Sequence, residues 1–191
     1  MYKLIKRIDE FDMYLAVTAY KNVKIDNVED FIQNARKEAG EAVVQFFDAK
    51  FIAGFEHLYF AVLNALTAFK NKLNISKSLA VEILLYAAAE RQIRNAVKFL
   101  GVREETRDVA VVVLAESREK VIGVLDKLSS IIHASQDESV LEIDDEKFEA
   151  IRKLFNISDL EIEAELKRKG LEKEALKDLV IERVALLVTR R

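Results

Sequence analysis

The feature that most constrains the fold is an uninterrupted apolar run, VAVVVLA, from Val109 to Ala115. Most of its residues are β-branched, and the run has the length of a strand; a membrane-spanning helix needs roughly 20 apolar residues. A strand without a polar side has to be covered on both faces by other elements. The sequence therefore predicts a sheet with helices packed against it.

The flanking patterns supply the other elements. Residues 2–9 and 13–20 predict a hairpin, and a further strand is expected at about 42–53. Helical spacing is seen between Asn27 and Gly40, after Phe55, after Ser117 and from 145 onwards, while residues 79–100 predict one long helix or two short ones. We expect an α/β (α+β) fold: a single domain over residues 1–191 with a small mixed sheet of about four strands surrounded by seven to eight helices. Its helical C-terminal part begins at about 145.

Three local signals refine the C-terminal half. Residues 134–138 are small and polar, which predicts a flexible loop, and residues 140–143 are expected to be extended. The acidic triplet at 144–146 suits the start of a helix, where it complements the helix dipole. Ser158 and Glu161 have the spacing of a capping box.

The motifs that support catalysis or cofactor binding are missing. The chain has no cysteine, and its two histidines, His57 and His133, lie far apart, whereas zinc sites need clustered ligands. The glycine-rich phosphate motifs and the nucleophile elbow are absent as well. We therefore expect no metal, no cofactor and no enzymatic activity.

Composition suggests where such a protein works. Missing cysteine fits a reducing compartment, and the first residues contain no apolar signal-peptide core, so a cytoplasmic protein without a membrane partner is expected. Abundant Lys, Arg and Glu favour a hyperthermophilic source. The net charge of −3 argues against non-specific binding to nucleic acid through many phosphate contacts, so any contact with nucleic acid must be local.

The segment from Ala87 to Gly101 combines an apolar face with a basic stripe. Ile93, Ala96, Val97 and Leu100 are expected to face the core, and Arg91, Arg94 and Lys98 fall on a separate helix face beside the amide of Gln92. We expect these cations to point outward beside a pocket. The alternative is a solvated face neutralised by acidic neighbours, which are Glu90, Glu104 and Glu105.

The last helix is apolar almost all round. A helix of this kind is buried on all sides, or it keeps one face for a partner. Both interpretations remain open from the pattern. The candidate partner-binding residues are Ile181, Val184, Leu187 and Val188.

Several short motifs, in matching order from about Val43 to the end, resemble one family. They are Phe47–Ala49, Ile52–Ala53, His57, Ala61–Val62, Asn64–Ala65, Val81–Leu84, Arg91–Ile93, Ala96, Ser139–Ile143 and Leu179–Leu187. The chain resembles, in its archaeal type, the small KEOPS-complex subunit that binds the kinase of the complex, called in animals the PRPK-binding protein, TPRKB. Each motif alone is weak, and the likeness rests on their order and spacing.

The resemblance implies a non-catalytic role in making threonylcarbamoyladenosine on tRNA. It implies direct docking on the KEOPS kinase/ATPase, an indirect link through that kinase to the transferase subunit, and recruitment of tRNA through its 3′ CCA end. The alternative is a scaffold or regulator of the kinase that has no contact with RNA.

The resemblance also implies roles for particular residues. It points to Arg91, Gln92 and Ile93 as an RQI signature, to Glu82, and to His57 as the histidine of the family. Because unpaired bases stack on flat side chains, the expected RNA-binding set is His57, Tyr86, Arg91, Gln92, Arg94 and Lys98. The chain has Ala88–Ala89 where the family often has Ser-Gly, and alanine favours helix, so we expect the helix break there to be straightened or shifted.

Overall fold

The computed structural model describes residues 5–189, so the first residues of the predicted hairpin lie outside the described part. The strands are β1 (Ile5–Ile8), β2 (Met13–Lys21), β3 (Val43–Asp48), β4 (Val109–Ala115) and β5 (Ser135–Gln136). The helices are α1 (Val28–Ala39), α2 (Gly54–Lys70), α3 (Leu79–Ala87), α4 (Ile93–Leu100), α5 (Arg118–Ile132), α6 (Asp145–Leu154), α7 (Asp159–Glu165) and α8 (Glu172–Ala185). Short 3₁₀ helices span Asp9–Phe11, Ala49–Phe51, Glu138–Leu141 and Leu186–Thr189.

The strands form one sheet in the order β1-β2-β4-β3, and β5 pairs with the end of β2 that β1 leaves free. Every pairing is antiparallel, so the prediction of a mixed sheet was wrong in this detail. The apolar strand β4 lies between β2 and β3, and all seven of its residues are buried. The α/β class and the position of a doubly covered strand are confirmed.

Apolar side chains pack on both faces of the sheet. One face carries a core cluster shared with α2, α3, α4 and α8. The opposite face carries a second cluster shared with α1 and α5. This three-layer arrangement explains why β4 has no polar side.

The C-terminal helices build a third cluster, which includes Ile151, Ile162, Leu176 and Val180. Helix α8 also contributes Val184 to the core beneath α2 and α3. The C-terminal part is therefore joined to the main core through α8.

Helix starts follow their capping residues. The side chain of Asn27 accepts a hydrogen bond from the backbone N–H of Asp30 at 2.9 Å, and Asp144 caps α6 at 2.8 Å in the same way. Ser158 and Glu161 form the predicted reciprocal capping box. Each signal acts within one helical turn, which is why it was readable from the sequence.

The segment predicted to be a flexible loop is anchored. Gln136 pairs with Tyr20 in β5, and the backbone N–H of Asp137 donates to the carbonyl of Ala19 at 3.0 Å. Of residues 140–143, which were expected to be extended, the first two belong to the 3₁₀ helix Glu138–Leu141, and Leu141 is buried in the core. Glu142 is extended as predicted. Within residues 5–189, no helix has the length and apolar character needed to cross a bilayer.

Candidate nucleic-acid interface

The candidate interface begins at a break between α3 and α4. The N–H of Ala89 donates to the carbonyl of Tyr86 at 2.9 Å, and the N–H of Glu90 donates to that of Leu85 at 3.0 Å. These are the two bonds of a Schellman ending, whose C′ residue is left-handed, and Ala89 has φ +48°. The two alanines therefore neither straighten nor remove the break, because the backbone bonds hold Ala89 in a conformation that favours glycine.

The side chain of Glu90 fixes the start of α4. Its carboxylate accepts a hydrogen bond from the backbone N–H of Gln92 at 3.0 Å, and Gln92 is the N-cap residue of α4. The N–H of the amide of Asn95 donates to the side-chain carbonyl of Gln92 at 3.3 Å. The segment 88–92 is thus a tight loop that presents Arg91 and Gln92 at the surface.

Three cations form an exposed set on and beside α4. Arg91, Arg94 and Lys98 are all exposed, and none forms an ion pair with another residue of the described range 5–189. The acidic neighbours have other partners: Glu90 binds the backbone of Gln92, and Glu105 pairs with Arg103 at 3.8 Å. The geometry therefore does not support the alternative, in which acidic neighbours neutralise the three cations.

An aliphatic strip adjoins these cations. Ile93 is 46% exposed and Val97 is 48% exposed, whereas Ala96 and Leu100 are buried. At about 100° per residue, Ile93 and Val97 lie between the buried edge of the helix and the basic edge formed by Arg94 and Lys98. The prediction that all four apolar residues face the core was wrong, because a helix of two turns covers the core with only one of its edges.

The carboxyl end of α4 is closed by the next loop. The guanidinium group of Arg103 donates to the backbone carbonyl of Lys98, and Arg107 donates to the carbonyl of Glu104 at 2.8 Å. Both arginines continue the basic surface beyond the helix. We call Arg91, Gln92, Ile93, Arg94, Val97 and Lys98 the α4 surface.

The two flat side chains predicted beside these cations lie in the core. His57 has no exposed surface, accepts at Nδ1 from the backbone N–H of Ala53 at 3.1 Å, and donates from Nε2 to the carbonyl of Ala87 at 2.8 Å. Burial lowers the pKa of His57 to about 4. A fully buried ring cannot stack on a base, so its inclusion among the RNA contacts is corrected: it ties α2 to the end of α3.

Tyr86 is buried too, at the last turn of α3. Burial, followed by the charge of Glu82, raises the pKa of Tyr86, and Arg91 acts in the opposite direction, which places the guanidinium group near the phenol. Its ring is therefore not a free stacking platform. Glu82 is a structural residue as well, because its carboxylate accepts from the backbone N–H groups of Ile75 and Ser76.

The expected pocket beside the stripe has no counterpart among three of the best-formed pockets of the described residues. Surface pockets of about 600, 580 and 330 Å³ are formed within residues 5–189, and none of the three is lined by Arg91, Arg94 or Lys98. The α4 surface is an open helix face. A ligand bound there is contacted on one side only.

The candidate partner-binding residues at the C-terminus divide into two sets. Val184 and Leu187 are buried in the core, Ile181 is half-buried, and Val188 is 49% exposed. Leu186, which the sequence pattern did not single out, is 40% exposed. Helix α8 ends at Ala185 and continues as a 3₁₀ turn, which directs Leu187 inward while Leu186 and Val188 stay at the surface.

The chain is similar to known proteins over most of its length. The family model described as kinase binding protein CGI-121 matches residues 20–187, which include α4 and the whole of α8. The chain belongs to the CGI-121 family. A curated relative, the regulatory protein Cgi121 of Methanocaldococcus jannaschii, is 34% identical over 113 residues, which make up 59% of this chain and 70% of the relative.

Membership of the CGI-121 family confirms the resemblance inferred from the motifs. The family is described as kinase-binding, and the archaeal relative is named a regulatory protein. The coarse biochemical class is accordingly a regulatory, kinase-binding subunit.

Proposed function

We propose that this CGI-121 protein is a non-catalytic subunit of the KEOPS complex that recruits tRNA through the 3′ CCA end, for threonylcarbamoyladenosine modification. It docks directly on the kinase/ATPase subunit and reaches the transferase through that kinase. The observation that carries the RNA part is the α4 surface, where three exposed cations, none paired with an acidic residue of the described range 5–189, adjoin two exposed aliphatic side chains.

Single-stranded RNA suits such a face. Ammonium and guanidinium groups neutralise phosphates, guanidinium planes stack on bases, and aliphatic side chains pack against the base faces. Arg91 and Arg94 take over the stacking role that His57 and Tyr86 cannot perform. Three local cations suffice for a three-nucleotide end, so the net charge of −3 is no obstacle.

The expected salt dependence is modest. Each phosphate neutralised on a single strand contributes about −0.7 to the slope of log K against log salt. Three contacts therefore give a slope of about −2, which is much less steep than the slope of a protein that contacts many phosphates along a tRNA.

The RNA test is a gel-shift or filter-binding titration at low salt with the variants Arg94→Glu and Lys98→Glu. Each is expected to weaken tRNA binding by about tenfold or more and to make the salt slope less negative by about 0.7. Lys153→Glu, an exposed charge reversal on α6, is the matched control and is expected to bind normally. Removing the CCA end from the tRNA should abolish the difference between wild type and Arg94→Glu; equal affinity of all variants would overturn the RNA proposal.

The kinase-docking surface is proposed at the end of α8. Leu186 and Val188 are exposed, Ala185 is exposed beside them, and half-buried Ile181 lies one turn before. Complete burial of an exposed side chain of this size contributes roughly 1.5–3 kcal/mol, and Leu186 and Val188, which are 40% and 49% exposed, can contribute about half of that each. Leu186→Asp is expected to reduce co-purification with the kinase by more than tenfold, whereas Leu160→Asp, the same change at an exposed leucine of α7, is expected to leave it intact.

A scaffold without RNA contact is the second candidate. It is favoured by the burial of both flat side chains, and none of the three pockets described above is lined by a cation of the α4 surface. It predicts that Leu186→Asp breaks the kinase complex while both charge reversals on α4 leave tRNA affinity unchanged. The tRNA titration and the kinase co-purification together separate the two candidate functions.

A further inference from the structure

A pocket of about 600 Å³ is formed among the described residues, and none of the residues that define the α4 surface lines it. It is bounded by the 3₁₀ helix Ala49–Phe51, the loop that leads into β4, and the segment between β5 and α6. The volume falls within the range of small-molecule sites. Nothing in the kinase-docking or RNA-recruiting proposals uses it.

A buried ammonium group forms part of the pocket wall. Lys147 is only 8% exposed, and its Nζ donates to the backbone carbonyl of Val140 at 2.7 Å. A lysine has three N–H donors, and within residues 5–189 no second acceptor lies within hydrogen-bond distance of this Nζ. Two donors of a nearly buried charge are thus left for a ligand.

Three carboxylates line the same pocket, and one of them, that of Asp144, accepts a hydrogen bond from the backbone N–H of Lys147. Asp48, Asp108 and Asp144 each favour the charged form of Lys147, yet none of them is close enough to form an ion pair with it. Burial outweighs them and lowers the pKa of Lys147 to about 8. A gap therefore separates a donor-only group from three acceptor-only groups.

Hydroxyl groups match this gap. A hydroxyl accepts from the lysine and donates to a carboxylate at the same time, which neither an anion nor a cation can do. Carboxylates commonly bind ribose hydroxyls in this manner. Two adjacent hydroxyls would occupy both free donors of Lys147.

The remaining lining argues for a base and against a polyphosphate. Phe51 lines the pocket and offers an aromatic face, and Arg103 and Arg107 offer guanidinium planes. Five lining side chains are basic and six are acidic, so the pocket has no excess of positive charge to hold several phosphates. The acidic set comprises Asp48, Glu105, Asp108, Glu142, Asp144 and Glu146.

We propose that this pocket binds a ribonucleoside, with the free 2′,3′-diol of the ribose between Lys147 and the aspartates that line the pocket and the base against Phe51. The nucleoside is a free molecule, because the proposed function already places the 3′ end of tRNA at the α4 surface. The pocket is therefore independent of that function, and binding of an RNA end in the pocket overturns this assignment.

The primary test uses the wild-type chain and isothermal titration calorimetry with adenosine and 2′,3′-dideoxyadenosine. Adenosine is expected to bind with a dissociation constant below about a millimolar, and loss of both hydroxyls is expected to weaken binding by about tenfold or more, because their partners are then left unpaired. Equal binding of the two compounds, or no heat with adenosine, overturns the proposal. This comparison requires no variant to fold.

The matched variants are Lys147→Met, Lys153→Met and Arg94→Glu. Lys147→Met is expected to lose adenosine binding by about tenfold or more, and Lys153→Met on the same helix is expected to keep it. Arg94→Glu is expected to bind adenosine normally, which separates this pocket from the α4 surface. Full adenosine affinity in a folded Lys147→Met protein contradicts the proposed role of the ammonium.

A short RNA with either a 3′-hydroxyl or a 3′-phosphate identifies the source. If the pocket holds the RNA end, the 3′-phosphate weakens binding of the RNA and excess adenosine competes with it. If the pocket holds a free nucleoside, adenosine still binds and the 3′-phosphate has no effect. Failure of tRNA recruitment at the α4 surface leaves the adenosine result unaffected.

Discussion

The buried imidazole of His57 should make the stability of the protein depend on pH between neutral and acidic conditions. Its neutral form satisfies both contacts, accepting from Ala53 and donating to Ala87. A proton added at Nδ1 removes the acceptor and places a charge in the core, near the charge of Lys147. The imidazole of His57 therefore binds a proton more weakly in the folded protein than in the unfolded chain.

The size of the effect follows from linkage. The pKa of His57 falls from about 6.5 in the unfolded chain to about 4 in the folded protein, at about 1.4 kcal/mol per pH unit. Between these values the unfolded chain binds more protons, so the free energy of unfolding decreases as the pH falls. The contribution of His57 is fully present above about pH 6.5, and about 3 kcal/mol is lost by pH 4.

The assay is urea unfolding at several pH values from 7 to 4, for wild type, His57→Gln and His133→Asn. The difference between wild type and His57→Gln isolates the imidazole from the carboxylates that titrate in the same range. His57→Gln is expected to be less stable at pH 7 and to show a shallower decline. His133→Asn, which removes the exposed histidine, should decline in parallel with wild type. Parallel curves for wild type and His57→Gln would refute the reasoning.

Three further predictions concern single positions. Ala89→Gly should stabilise the protein by about 1 kcal/mol and raise Tm by about 2–4 °C, because glycine adopts the left-handed conformation of residue 89 without strain. Ala88→Gly should destabilise the protein, because residue 88 has a right-handed conformation, and calorimetry measures the Tm of both variants. Leu187→Asp should abolish folding, as judged by circular dichroism, while Leu186→Asp should fold normally. The pKa of Lys147, about 8 in the folded protein against 10.5, predicts that stability rises with pH across this window, and urea unfolding of Lys147→Met should show no such rise.

Local features of the fold were readable from the sequence because their causes lie within a few residues. Asn27 and Ser158 each cap the helix that follows, and the apolar run of β4 required cover on both faces. The sequence predicted neither that every strand pair is antiparallel nor that β5 pairs with β2. They depend on residues over a hundred positions apart, such as Tyr20 and Gln136, and no local pattern encodes that contact.

The candidate site was predictable only in part. The outward direction of Arg94 and Lys98 followed from helical spacing, and the structure agrees. Arg91 is exposed as well, but it lies in the loop before α4 and not on the predicted helix. A signal for the burial of Tyr86 was present, since the short helix around it is apolar on nearly every side. The exposure of Ile93 had no comparable signal, because it depends on how α4 lies against the core.

The C-terminal turn places core and surface side chains in strict succession. Leu187 seals the interior, and its immediate neighbours Leu186 and Val188 face outward. Loss or gain of a single residue just before this turn would exchange the two sets, exposing what the fold needs and hiding what a docking partner would contact. Length at this point of the chain is therefore constrained more tightly than residue type, and natural variation here should appear as substitutions between aliphatic residues without insertions or deletions.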